Sequence, residues 1–139
     1  MSPNSPRKYL ETQILTASRE QLLLLLYDGA IRFAEKGRDA VLAKEPAEAH
    51  DQLVRAQRIV IELWCALNPE ADPELSKNLG GLYSFAYLRL VHANVQRDAK
   101  AADEALGILR TLREAWGEAV ARIQSGTAPS AVPSLQLNG

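Results

Sequence analysis

Hydrophobic and polar positions recur along most of this chain every three to four residues, the spacing of one face of an α-helix. The pattern is densest from Thr16 to Val41. Ser18 and Gln21 form a start signal there. The serine oxygen can accept from a first-turn N–H, and the glutamine can reach back to the N–H of Ser18. Leu22 to Leu26 follow without glycine or proline. Leu23, Tyr27, Ala30, Ala34 and Val41 then share one face, opposite Asp28, Arg32, Glu35 and Asp39. The pattern predicts a first helix of about six turns, ending near Ala43 because Pro46 cannot continue it.

Three further helices are predicted. The second spans about Ala47 to Leu67, with Leu53, Ala56, Val60, Leu63 and Leu67 as its seam and Val54, Ile61 and Trp64 as a second apolar line beside it. Asn68 to Pro73 reads as a turn, with Asp72 as N-cap and Pro73 as the first residue of a third helix running to about Arg97. Leu75, Leu79, Leu82, Ala86, Leu90 and Ala93 mark its core line. Tyr83, Phe85, Tyr87, Leu88, Val91 and Val95 fall on other faces, so this helix is apolar nearly all round. Gly80 and Gly81 inside it cost roughly 2 kcal/mol against alanines and stand either as tolerated glycines or as a point of close helix approach. Asp98 caps a fourth helix to about Gln124 with a single stripe: Ala105, Leu109, Leu112, Trp116, Ala119 and Ile123. Four helices with short connections predict an all-α, antiparallel up-down four-helix bundle over 16–124. Residues 1–15 read as a mobile N-terminal segment with Tyr9, Leu10, Ile14 and Leu15 as apolar handles, and 125–139 as a disordered tail.

Composition narrows the function. A net charge of −1 over 139 residues lacks the basic stripe of a nucleic-acid binder. No apolar run is long enough for a membrane span, and MSPNSPRKYLET lacks a signal-peptide core, so the expected compartment is the cytosol. The single cysteine, Cys65, fits a reducing compartment and reads as a buried, inert thiol. Catalytic and metal constellations are missing: neither His50 nor His92 has the Glu-x-x-His spacing of bundle metal sites, and there is no Cys-x-x-Cys, phosphate loop or Gly-x-Ser-x-Gly. No enzyme activity, cofactor or metal is expected. The charged lines on helices one, two and four read as solvated faces.

What remains is surplus apolar surface. A single-layer bundle cannot cover both faces of helices two and three. Val54, Ile61, Tyr83 and Tyr87 are then either flanking core positions, or the lining of a groove for a partner helix, or a homodimer face.

A series of motifs adds to this. TAS-x-x-x-L-x-x-x-LYDGAIRF at 16–33 is followed by AQ-x-I at 56–59, NL-x-x-LY at 78–83, L-x-x-AN-x-x-x-D at 90–98 and L-x-x-LR-x-AW at 109–116. In this order and spacing, over about residues 9–123, the chain resembles the flagellar export chaperones of the FliS type. Arg19 stands where many members have proline, which leaves the cap intact. The resemblance implies a four-helix bundle of the bacterial cytosol that binds the C-terminal segment of flagellin, prevents its premature polymerisation and aids delivery to the type III export gate. The export-gate protein or a flagellar regulator is a further candidate partner, and the chaperone a monomer or weak homodimer. By motif, Tyr9 and Ile14 belong to the N-terminal cap, Tyr27 and Asp28 to the LYDGA signature, in a packing or contact role, and Asn94 to the AN motif. By face geometry, Val54, Ile61, Trp64, Tyr83 and Tyr87 are expected to line the groove. The reading kept beside it is a structural bundle that self-associates through helices two and three.

Overall fold

The computed structural model describes residues 6–9 and 18–126. Four long helices follow one another: α1 (Arg19–Leu42), α2 (Pro46–Cys65), α3 (Pro73–Gln96) and α4 (Ala99–Ser125). Their ends are set by local chemistry. The capping box closes as expected: Ser18 Oγ accepts from the Gln21 N–H at 3.2 Å, and Gln21 Oε1 accepts from the Ser18 N–H at 3.1 Å. Asp72 and Asp98 cap α3 and α4 through their carboxylates, and Pro46 and Pro73 occupy first-turn positions where a missing N–H costs nothing. Arg97, the C-cap of α3, sits in the left-handed region at φ 55, as does Lys44 between α1 and α2 at φ 59. Residues 6–9 form a helical turn with Tyr9 exposed, where the sequence pattern predicts no helix. Ile14 and the tail beyond Gly126 lie outside the described residues.

Each helix packs on its chain neighbours and α1 packs on α4, so the order around the bundle is α1, α2, α3, α4. One core runs down the middle, built from Ala30 and Ala34 of α1, Leu53 and Val60 of α2, Leu90 of α3 and Leu109 of α4, all fully buried. Small residues bring α1 and α2 close. A Cβ on Gly37 would lie 2.5 Å from Leu53, and one on Gly29 would lie 3.1 Å from Ile59.

The buried stripe of α3 is rotated from the expected one. Leu79, Tyr83, Ala86, Leu90 and Ala93 are buried, whereas Leu75 and Leu82 are only partly so. The tyrosine at position 83 finds a polar partner inside the bundle, which is what a phenol needs in order to be buried. The charged lines are corrected as well. Asp28, Glu35 and Arg38 of α1 form ion pairs with Arg113, Arg110 and Asp103 of α4, so they join two helices instead of facing only water. Cys65 is exposed, not buried, because it closes α2 on its outer side.

Candidate partner-binding surface

The surface is built where α2 and α3 run side by side. At one end Trp64 lies over Gly80, whose absent Cβ would stand 3.5 Å from the indole Nε1. At the other end Asn94 Nδ2 and His50 Nδ1 are joined at 2.9 Å. These two contacts lie fourteen residues apart on each helix, in opposite directions. They therefore fix an antiparallel register and a seam of about 21 Å. Between them the outer side of α2 carries Val54 and Ile61, and that of α3 carries Tyr87 and Val91. Ile61 is 42% and Trp64 39% exposed; Val54, Tyr87 and Asn94 are half-buried. Further out on α3, Leu88 and Val95 are among the most exposed large apolar side chains of the described residues, at 58% and 67%. Hydration of such groups is unfavourable by roughly 25 cal/mol per Å2, so a partner that covers them gains on every one. Gly81 faces open space, and Gly80 meets a side chain at ordinary contact distance. Neither glycine is needed for close approach of two backbones.

Tyr83, expected in the groove, is elsewhere, and Tyr27, left between packing and contact, takes the packing role. Tyr27 and Tyr83 are 0% and 2% exposed, and their hydroxyls are hydrogen-bonded to each other across the bundle diagonal, from α1 to α3. They are core residues, not groove lining. Burial raises both phenol pKa values above their ordinary range, and for Tyr27 the neighbouring Tyr83 adds to the rise. Trp116 stands beside them, its indole N–H buried and short of a well-formed hydrogen bond. Asp28 is also structural. It accepts from Arg113 Nε at 2.8 Å, and this bond raises the arginine pKa further. Tyr9 is exposed, in the 6–9 turn.

A feature with no signal in the sequence is a cavity of about 410 Å3 at one end of the bundle. It lies where the start of α1 (Leu23), the end of α2 (Leu63, Leu67), the start of α3 (Leu75, Leu79) and the end of α4 (Ile123) fail to meet. Tyr83 and Trp116 also line it. Helical periodicity says which face is apolar, but not where four helix ends leave a gap. Leu67 also lines a shallower hollow with Trp64, Pro69 and Pro73, so the cavity and the α2/α3 seam adjoin.

Among the described residues no cluster of histidine, cysteine or carboxylate could hold a metal ion, and no helix is long and apolar enough to cross a membrane. The fold is that of an all-α helical bundle with an apolar line exposed on its α2/α3 side. The family model described as "Flagellar protein FliS" matches residues 2–123. The chain is 32% identical to the flagellar secretion chaperone FliS of Bacillus subtilis over 81% of this chain and 83% of that protein. It is 32% identical to the protein of the same name from Salmonella typhimurium, over 77% and 80%. A solved structure described as a flagellar chaperone from bacteria superposes with a TM-score of 0.70 at 22% identity, covering 86% of this chain and 97% of that one. This chain belongs to the FliS family of flagellar secretion chaperones, which is a chaperone family and not an enzyme family.

Proposed function

We propose that this protein is a cytosolic export chaperone that binds the disordered C-terminal segment of flagellin, keeps it from polymerising early, and aids its delivery to the flagellar type III export gate. The observation that carries this reading is the exposed apolar line on the α2/α3 side, Ile61 and Trp64 beside Leu88 and Val95, on a bundle that already has a buried core of its own. A disordered polymer end loses entropy when it orders, so its chaperone must offer a large apolar area in return. The line runs along two helices, and an amphipathic segment can lie against it with anchors one turn apart. Family membership supports the same reading. Val54, Tyr87 and Asn94 flank the line and are proposed as contacts of the same segment, and Tyr9 and Ile14 as part of an N-terminal cap over it.

The test is a titration of the full chain with a flagellin C-terminal peptide. One-to-one binding is expected. Ile61→Glu should weaken it by at least about tenfold, because the partner must desolvate the new charge, while a urea melt stays nearly unchanged. A light-scattering mass distinguishes self-association: a dimer that persists with peptide present would favour a structural bundle that pairs through α2 and α3.

A further inference from the structure

The four sides of the bundle differ in how their charges are met. Between α1 and α4, cations and carboxylates pair three times, and Arg89 stands 3.0 Å from Glu104 between α3 and α4. The α2/α3 side is the apolar one. On the α1/α2 side four cations gather in the middle, with carboxylates towards either end. The Arg32 guanidinium lies 5.1 Å from the centroid of the Phe33 ring, and that of Arg55 lies 5.6 Å from the same centroid. Phe33 packs against the core, so one fixed ring holds two like charges at one spot. Lys36, one turn beyond Arg32, and Arg58, one turn beyond Arg55, extend the cluster along their own helices. All four cations are exposed. Among the described residues Arg32, Lys36 and Arg58 have no ion-pair partner, and Arg55 shares only Asp51, at 3.4 Å. The other carboxylates on this side are Glu62, a turn beyond Arg58, and Asp39, a turn beyond Lys36 and already paired with Arg38 at 3.1 Å.

We propose that Arg32, Lys36, Arg55 and Arg58, gathered around Phe33, dock an acidic helical segment of a partner protein. This surface is centred on the Phe33 ring, on the α1 side of α2; only Arg58, one turn from Val54 and Ile61, borders the apolar line. Like charges held together repel until an anion sits among them, and guanidinium forks match carboxylates in two-point hydrogen bonds. The cations recur at one turn on each of two helices. A helix laid along the α1/α2 groove with carboxylates four residues apart meets that repeat. Four cations on a chain of net charge −1 do not make the long basic stripe of a nucleic-acid site.

The probe is a synthetic helical peptide with glutamate at every fourth position, titrated into the full chain beside its Glu→Gln counterpart. The acidic peptide should bind at least about tenfold tighter, and the difference should shrink as salt is raised. The double variant Arg32→Gln/Arg55→Gln should lose about tenfold of that affinity, with an unchanged melt and unchanged binding of the flagellin peptide. Lys36→Gln/Arg58→Gln should lose a similar share of the acidic-peptide affinity without touching the arginine pair on Phe33; Arg58 borders the apolar line, so flagellin binding is read in the first double variant. Equal affinity for the two peptides, full affinity in both double variants, or a preference for polyphosphate or anionic vesicles over the peptide would overturn the proposal. Loss of flagellin binding in the wild type would overturn the chaperone reading alone.

Discussion

Glycines at two positions of similar local sequence preference have opposite meanings. Gly37 faces α2, and a Cβ there would lie 2.5 Å from Leu53 Cγ and Cδ2 and 3.3 Å from its backbone N. Leu53 is fully buried and has nowhere to move. Gly37→Ala should therefore destabilise the bundle by about 1–3 kcal/mol in a urea melt. Gly81 has nothing within 4 Å, so Gly81→Ala should stabilise by about 0.5–1 kcal/mol through helix propensity alone. A loss at Gly81 would mean that the exposed side of α3 is covered in the free protein. The Tyr27–Tyr83 pair gives a pH signature. Burial raises both phenol pKa values, so the neutral forms are favoured in the fold. Their contribution is fully present below the ordinary phenol pKa of about 10 and is lost as pH rises above it, because the unfolded chain then gives up its phenol protons first. Stability should begin to fall as pH nears about 10 and go on falling above it, and the fall should be smaller in Tyr27→Phe/Tyr83→Phe. An equal fall in both proteins would assign alkaline instability to other groups.

Helix existence and ends were legible because each end carries its own chemistry: Ser18 with Gln21, Pro46, Asp72 with Pro73, and Asp98. Which neighbour each face meets was less legible. Period alone left α3 apolar nearly all round, and the choice of Tyr83 over Leu82 for the interior depends on the hydroxyl of Tyr27, far away in the chain. The same limit applies to charges. Asp28 and Glu35 read as a solvated line on α1 until α4 brings Arg113 and Arg110 to them. Ile61 and Trp64 were legible as apolar residues outside the core because they lie beside a seam that already had its full set of leucines and valines. The α1–α4 pairs are half-exposed and screened by water, so Asp28→Asn should cost no more than about 1 kcal/mol. Most of the loss should disappear in the double variant Asp28→Asn/Arg113→Met, where no unpaired guanidinium is left. A much larger single-variant loss would show that α1 and α4 depend on the pair for their alignment.

For the molecule as a whole, a buried core and an uncovered outer face allow folding and the proposed binding to be tested separately. Leu63 is 1% exposed and lies on the seam of α2, two residues from the exposed Ile61. Leu63→Ala removes buried apolar volume and should cost roughly 2–5 kcal/mol of stability, while leaving the outer line of Ile61 and Trp64 in place. Because a ligand that binds only the folded state stabilises it by mass action, a flagellin C-terminal peptide at a hundred times its dissociation constant should add about 2.7 kcal/mol. That is on the order of 10 °C in melting temperature for a chain of this size. The gain should be the same in the wild type and in Leu63→Ala, since the face that binds is intact in both. It should be nearly absent in Ile61→Glu, whose own melt is close to wild type. A self-associating bundle behaves differently. Its melting temperature would rise with its own concentration and would not respond to the peptide. Measuring both dependences on one preparation decides between the two: a peptide-dependent, concentration-independent melt is expected, and the reverse would transfer the exposed side of α2 and α3 from a client to a second copy of the chain.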